Sequence, residues 1–243
     1  VGTGRVLAMS QNRVFDQNTD EDPTTTSVNY STDRAYGGSS GFQTGSTYKI
    51  FVLAEWLTRG FLLGDRVDAR KREWNAEEFS ARCGGLVGVW EPQNSNDEKY
   101  VNENVLRSTT RSINTSYVSM AAQLDLCDIR DMATRLGVKR ADGEELSYVP
   151  SSVLGTNELS ALSLAGAMAG FANQGTYCSP IAIDRVVVRG TGQDMRVPVS
   201  QCTQAMSPEV AAAATYAFEQ VIKGGTGTRS QINDDIPIAG KTG

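Results

Sequence analysis

The stretch GGSSGFQTGSTYKIFVLAEWLTRGF, residues 37–61, decides how this chain folds. From residue 46 to residue 59 apolar side chains fall on nearly all sides of a helix, so the pattern predicts a helix that is buried all round. Gly60 follows, and a residue without a Cβ is common where a helix ends. The predicted helix therefore belongs to the core.

Ser46 and Lys49 form a Ser-x-x-Lys step at the start of this helix. At positions i and i+3 the two side chains share one helix face. Ser46 would lie at the N-terminus, where unpaired N–H groups and the positive end of the dipole favour a developing oxyanion. Burial would disfavour the charged form of Lys49 and lower its pKa, as a lysine base requires. The same step is also an ordinary helix start, so other motifs must decide.

No histidine occurs among the 243 residues, which excludes a Ser-His-Asp triad, a Cys-His pair and any His-ligated metal within the chain. A nucleophile here needs another activator, and a lysine is the most plausible one. The net charge is -5 and no basic patch is present, so a nucleic-acid partner is not expected. The residues predict no metal and no cofactor.

Two further motifs carry polar side chains that suit acyl transfer. In RSINTS, the Ser112 hydroxyl could relay a proton and the Asn114 amide could hold a substrate carbonyl. At the end of an alternating, strand-like stretch, Lys241 would add positive field, and a glycine would let a substrate backbone approach. Each motif alone is unremarkable. The order Ser-x-x-Lys, Ser-x-Asn, Lys-Thr-Gly, however, is the motif set of class A β-lactamases and penicillin-binding proteins.

The resemblance extends over essentially the whole sequence. The chain resembles the transpeptidase domain of a bifunctional (class A) penicillin-binding protein of the actinobacterial sort, within the penicillin-binding/β-lactamase-like serine acyltransferases. The stretches that carry the resemblance, in order, are TGRVLAM, SVNYSTDRAYGGSSGFQTGSTYKIFVLAEWLTRG, VWEPQNSND, RSINTSYVSMAAQL, AMAGFANQGTYCSP and VIKGGTGTRS.

This resemblance implies four catalytic residues. Ser46 is the acylated nucleophile, and Lys49 is the base that deprotonates it. Ser112 passes the proton to the leaving amine, and Lys241 tunes the electrostatic field. Whether Lys49 or Lys241 acts as the base stays open, because that assignment is disputed in related sites.

The resemblance also implies three substrate-binding residues. Asn114 holds the amide of the peptide, Thr242 binds the substrate carboxylate, and Gly243 lies against the substrate backbone. The family takes a second oxyanion-hole donor from the residue after that glycine, and this chain ends at Gly243. Loss of one such donor costs ~10²–10³ in rate in a serine protease.

Strand-like patterns lie at both chain ends and helical patterns occupy the middle, which indicates an antiparallel sheet from the chain ends flanked by helices. We expect one α+β transpeptidase domain over residues 1–243, with a mostly helical subdomain over about residues 62–155. In the family the sheet has a strand before TGRVLAM and further strands after Lys-Thr-Gly. We therefore expect a fragment of a longer chain, from which outer strands are missing.

The four cysteines allow two interpretations, either buried thiols or two disulfides formed in an oxidising compartment. Cys178 and Cys202 bracket a stretch that reads as strand, glycine-rich turn and strand, so a hairpin would bring them together. We expect this disulfide, which leaves Cys83 and Cys127 as the second possible pair.

We expect a peptidoglycan D,D-transpeptidase that forms an acyl-enzyme on Ser46 from D-Ala-D-Ala stem peptides, cross-links them to an acceptor amine, and is inhibited covalently by β-lactams. A D,D-carboxypeptidase or β-lactamase on the same fold, or a non-catalytic sensor that keeps the pocket, stays open. Class A β-lactamases deacylate with a Glu four residues before an Asn, whereas Glu158 is followed by Leu162. The family implies an extracytoplasmic location, with attachment to the bacterial membrane through a segment outside this chain.

Overall fold

The structure, a computed structural model, describes residues 2–18, 22, 24–232 and 236–243. Helices and short strands are mixed along the chain, which confirms the α+β class. The α-helices in the described residues are α1 (Arg34–Gly37), α2 (Lys49–Thr58), α3 (Val105–Thr110), α4 (Asn114–Ala121), α5 (Leu126–Arg135), α6 (Ala161–Ala172) and α7 (Pro208–Gly224). The strands are β1 (Val14–Phe15), β2 (Thr25–Thr26), β3 (Phe42–Gln43), β4 (Arg66–Asp68), β5 (Trp74–Asn75), β6 (Val89–Trp90), β7 (Asn102–Asn104), β8 (Glu158–Leu159), β9 (Thr176–Cys178), β10 (Val186–Val187), β11 (Asp194–Met195) and β12 (Cys202–Gln204).

The strands pair two by two. Antiparallel pairs are β3 with β8, β4 with β7, β5 with β6, β9 with β12 and β10 with β11, while β1 and β2 are parallel. Antiparallel pairing is therefore present, as predicted. No helix in the described part of the chain has the length and apolar character needed to cross a membrane.

The two chain ends are not joined in one sheet in the described residues, contrary to the expected arrangement. The N-terminal segment makes a single bridge, from Arg5 to Ile181. Residues 236–243, predicted as a strand, form none. Their neighbour is a helix: the Gly240 N–H donates to the Phe218 carbonyl of α7 at 3.3 Å. Alternating apolar residues indicate that one face of this segment is buried. They do not indicate whether a helix or a neighbouring strand lies against the segment.

The predicted central helix is confirmed, with a different first turn. A 3₁₀ turn, Gly45–Tyr48, leads directly into α2. Eight of the ten residues of α2 are buried, from Lys49 to Trp56. The helix packs against α4, α5 and α7, so each large apolar side chain on it contributes about 1.5–3 kcal/mol through burial.

Helix α2 ends in a Schellman motif at Gly60, as its position in the sequence predicts. Gly60 has φ +88°, and its N–H donates to the Leu57 carbonyl at 3.0 Å. The Phe61 N–H reaches back to the Trp56 carbonyl at 3.3 Å, and the rings of Phe61 and Trp56 stack with centroids 4.1 Å apart. This apolar contact is the usual companion of the motif.

The break between α3 and α4 uses the same motif without a glycine. The Ser112 N–H donates to the Thr109 carbonyl at 3.2 Å, and the Ile113 N–H donates to the Ser108 carbonyl at 2.9 Å. Ser112 therefore occupies the left-handed position, with φ 55°. A residue with a Cβ costs roughly 1–2 kcal/mol there. The helical periodicity of residues 103–126 does not reveal this break, because a serine stands where a glycine is expected.

Local signals elsewhere in the sequence agree with the start of α7 and with one of the two disulfides. Ser207 caps α7, where its hydroxyl accepts from the Val210 N–H at 3.3 Å. Cys178 and Cys202 lie opposite each other in the β9–β12 pair, with Cα atoms 4.0 Å apart, and are bridged. Cys83 and Cys127 form a second disulfide, so no free thiol remains.

We predict that Ser112→Gly is more stable than Ser112→Ala by about 1 kcal/mol, because only glycine relieves the left-handed strain. Both substitutions remove the hydroxyl, so their difference isolates the backbone. Urea denaturation measures it. Gly60→Ala is the matched control: no atom lies within 4 Å of a Cβ added there, so its expected loss of about 1 kcal/mol has the same backbone origin. Equal stability of the two Ser112 variants would contradict the prediction.

We predict that the double substitution Cys178→Ala/Cys202→Ala lowers the free energy of unfolding by about 3 kcal/mol. The bridge closes a loop with a sequence separation of 24, and its loss frees the unfolded chain. Urea denaturation without reductant measures the change. With reductant present, wild type and variant should converge. An unchanged midpoint without reductant would contradict the prediction.

Candidate active site

The Ser46 side chain is half-buried in the 3₁₀ turn that precedes α2. N–H groups in the first turn of a helix have no intrahelical acceptor, so the Ser46 N–H is available to an incoming carbonyl oxygen. Among the described residues the Ser46 hydroxyl makes no hydrogen bond. Catalytic hydrogen bonds are often absent or long before substrate binds, so this hydroxyl is free to turn toward a base.

The Lys49 amine is fully buried and held by oxygen atoms from the α3–α4 turn and from α4. Its Nζ donates to the Ser112 carbonyl at 2.7 Å, to Asn114 Oδ1 at 2.5 Å and to Ser112 Oγ at 3.2 Å. The ring of Tyr117, also fully buried, lies 5.2 Å from Nζ. Burial lowers the pKa of Lys49 well below its ordinary value, and the charge of Lys241 lowers it further.

The Ser112 hydroxyl lies between two amines. Lys49 Nζ is 3.2 Å away and Lys241 Nζ is 2.7 Å away. Burial lowers the pKa of Lys241 to about 8. No carboxylate contacts either amine within the described residues. The arrangement can therefore pass a proton between lysine and serine without an acidic partner that would hold it.

The Asn114 amide has a defined orientation because a backbone carbonyl, here that of Gln93, only accepts hydrogen bonds. Asn114 Oδ1 therefore faces Lys49, and Nδ2 donates to the Gln93 carbonyl at 2.6 Å. An amide nitrogen carries two hydrogens, and this contact uses one of them. The second hydrogen can be donated to a further acceptor.

The Lys-Thr-Gly segment runs beside the turn that holds Ser46. A Cβ at Gly243 would lie 3.1 Å from the Thr44 carbonyl oxygen and 3.1 Å from Thr47 Oγ1. The Thr242 hydroxyl, on the same segment, makes a 2.7 Å hydrogen bond with the Thr226 hydroxyl. The three sequence motifs are therefore brought to one place.

Sequence reasoning missed three residues that touch this cluster: Gln93, Tyr117 and Thr226. Gln93 contributes only its carbonyl, which no pattern of side chains reveals. Tyr117 lies three residues after Asn114, on the helix that Asn114 begins. Thr226 and Gln93 both lie in stretches that carry the family resemblance, VIKGGTGTRS and VWEPQNSND, and that was the available signal.

Comparison with known proteins finds relatives that match 83% of this chain. Penicillin-binding protein 1A of Neisseria meningitidis serogroup B is 30% identical over 207 residues, covering 83% of this chain and 25% of that protein. The corresponding protein of Aquifex aeolicus is 26% identical over 201 residues, covering 83% of this chain and 26% of that protein. The chain thus spans about a quarter of the length of these relatives.

Solved structures share the fold. Penicillin-binding protein A from M. tuberculosis, as an imipenem acyl-enzyme complex, superposes with a TM-score of 0.76 at 18% identity, covering 98% of this chain and 58% of that chain. PonA1 from Mycobacterium tuberculosis, in complex with penicillin V, gives a TM-score of 0.60 at 25% identity, covering 75% of this chain and 48% of that chain.

The family model described as the penicillin binding protein transpeptidase domain matches residues 1–243. This match spans every segment that contributes to the cluster around Ser46, from the 3₁₀ turn to the Lys-Thr-Gly segment. The chain belongs to the penicillin-binding protein transpeptidase domain family.

Proposed function

We propose that this chain is a serine D,D-transpeptidase domain that forms an acyl-enzyme on Ser46 from D-Ala-D-Ala stem peptides of peptidoglycan and transfers it to an acceptor amine. The observation that carries the proposal is the buried Lys49 amine, which lies beside the Ser112 hydroxyl and contacts no carboxylate among the described residues. A carboxylate would stabilise the ammonium and raise the pKa of Lys49. The amine would then stay protonated at neutral pH and could not accept the serine proton.

In the proposed acylation, neutral Lys49 accepts the Ser46 proton while Oγ attacks the carbonyl carbon of the penultimate D-Ala. The Ser46 N–H stabilises the oxyanion of the tetrahedral intermediate. When the C–N bond breaks, Ser112 donates its proton to the departing amine and recovers a proton from Lys49, which carries the proton taken from Ser46 and lies 3.2 Å away. The products are an ester on Ser46 and free D-Ala, so the proton removed from Ser46 is accounted for.

The greater burial of Lys49 supports it as the base rather than Lys241. Lys49 is fully buried, whereas Lys241 is only partly buried, so the ammonium form of Lys49 is the more costly of the two. Lys241 then keeps its charge over more of the neutral range and supplies the positive field. Its donation to Ser112 Oγ at 2.7 Å also directs the serine lone pairs.

Substrate binding follows from the remaining polar groups. The second Nδ2 hydrogen of Asn114 holds a peptide carbonyl, and the Thr242 hydroxyl binds the terminal carboxylate. An amine of a neighbouring stem peptide then attacks the ester and releases Ser46 with the cross-link formed. A β-lactam enters by the same step, but its leaving amine stays tethered to the acyl group, so the adduct on Ser46 persists.

We further propose an extracytoplasmic location, with membrane attachment outside this chain. Two disulfides that use all four cysteines support an oxidising compartment. The relatives named penicillin-binding protein 1A are about four times longer than the matched region, which leaves room for a glycosyltransferase domain and an anchor elsewhere.

We predict that a fluorescent penicillin forms a stable adduct on Ser46, detected as a mass increase, and that Ser46→Ala abolishes it. Lys49→Ala should stay folded by circular dichroism and acylate at least ~10²–10⁴-fold more slowly, the range for loss of a general base. Lys223→Ala is the matched control, because that lysine is exposed and paired with Glu219. Rapid turnover of the drug would indicate a hydrolase, and a folded protein without an adduct would indicate a binding module. Near-normal acylation by Lys49→Ala would overturn the base assignment.

We predict a bell-shaped pH profile for the second-order rate constant of acylation. Lys49 must be neutral to accept a proton, so the rate rises as pH increases through the lowered pKa of Lys49. Lys241 supplies its field only when protonated, so the rate falls above about pH 8, the pKa to which burial lowers that amine. In Lys241→Arg the side chain keeps its charge at alkaline pH, so the falling limb of the profile should move to higher pH. An unmoved falling limb in that variant would contradict the assignment.

A further inference from the structure

Thr226 belongs to none of the three motifs but contacts both the Lys-Thr-Gly segment and the end of α3. It lies in the loop that follows α7, and its hydroxyl oxygen is 2.7 Å from Thr242 Oγ1. Its main-chain N–H donates to the Thr110 carbonyl at 3.0 Å, at the end of α3 and two residues before Ser112. The residue therefore links the Lys-Thr-Gly segment to the turn that holds Ser112.

The glycines on either side hold Thr226 in a defined place. The N–H groups of Gly225 and Gly227 donate to the Val221 carbonyl, at 3.1 and 3.0 Å. A Cβ at Gly225 would lie 2.3 Å from the Thr110 carbonyl oxygen, which a side chain cannot tolerate. A Cβ at Gly227 would lie 2.8 Å from Ile222 Cδ1. Only a glycine at position 225 lets this loop approach α3 so closely, and the approach fixes the position of the Thr226 main chain.

The number of hydrogens available determines which of the two hydroxyls, Thr226 or Thr242, is the donor. A threonine hydroxyl has one hydrogen to donate and two lone pairs. If Thr242 donates its hydrogen to a substrate carboxylate, it cannot also donate to Thr226. The 2.7 Å contact must then run the other way, with Thr226 as the donor. Donation into the Thr242 oxygen polarises its O–H bond and fixes its rotamer.

We propose that Thr226 is a positioning residue for the substrate carboxylate: its hydroxyl donates to Thr242 Oγ1 and directs the Thr242 hydrogen toward the carboxylate. This inference rests on the proposed function, in which Thr242 binds that group. It assigns the loop after α7 a part in selecting substrates that end in a carboxylate.

The test compares acylation of the purified protein by benzylpenicillin and by its methyl ester, which lacks the negative charge. Thr226→Val keeps the shape of the side chain and removes the donor. It should slow acylation by benzylpenicillin about three- to tenfold, the effect of one lost hydrogen bond, and leave acylation by the ester nearly unchanged. Thr226→Ser is the matched control and should restore the wild-type ratio of the two rates. A merely structural role would slow both compounds equally and would overturn the proposal.

A double-mutant cycle with Thr242→Val tests whether Thr226 acts through Thr242. Thr242→Val alone should slow acylation by benzylpenicillin more than Thr226→Val does. In the Thr242→Val background the second substitution should add nothing, because the hydroxyl it acts on is gone. Additive effects would show that Thr226 acts independently and would overturn this inference alone. Failure of the wild-type protein to form an adduct would overturn the proposed function, and this inference with it.

Discussion

The site depends on one buried amine that contacts no carboxylate in the part of the chain that the structure describes. Lys49 Nζ is removed from water, and its hydrogen-bond partners within residues 2–18, 22, 24–232 and 236–243 are neutral oxygens of Ser112 and Asn114. Neutral acceptors satisfy the donors of an ammonium group but do not offset its desolvation as a carboxylate does. The balance between the charged and neutral forms is therefore shifted toward the neutral amine, which makes this lysine suitable as a base. The chemistry proposed for Ser46 follows from that balance.

The architecture around Lys49 keeps the amine dry and brings its acceptors to it. Helix α2 is buried from Lys49 to Trp56, so the amine lies one turn from the surface at Ser46 yet within the core. The acceptors come from the α3–α4 break, where Ser112 takes the left-handed conformation. Comparison with Gly60 is informative, because both residues end a helix with the same pair of hydrogen bonds. At the end of α3 a serine takes the strained left-handed conformation, and its hydroxyl contacts two amines. At the end of α2 a glycine takes the same conformation without strain.

The lining of the site comes from distant parts of the chain. Lys49 and Ser112 are 63 residues apart, and Ser112 and Lys241 are 129 apart. The glycine-flanked loop at Thr226 links two of these segments, through its hydrogen bonds to Thr110 and Thr242. Small displacements would matter for the proposed proton transfers, which span one hydrogen-bond length, so the residues that hold these segments are as important to the proposal as the motifs.

The sequence alone determined the features that depend on near neighbours: the buried helix and its end at Gly60, the cap at Ser207, the bridged hairpin at Cys178, and the order of the motifs. Local periodicity, capping chemistry and residue spacing are sufficient for these. Only the tertiary structure decided the helix break at Ser112, the orientation of Asn114, the contact between Thr226 and Thr242, and the packing of the final segment on a helix instead of in a sheet. Each of these depends on which distant group supplies the missing hydrogen-bond partner or apolar surface, and that choice is made by the packing of the whole chain.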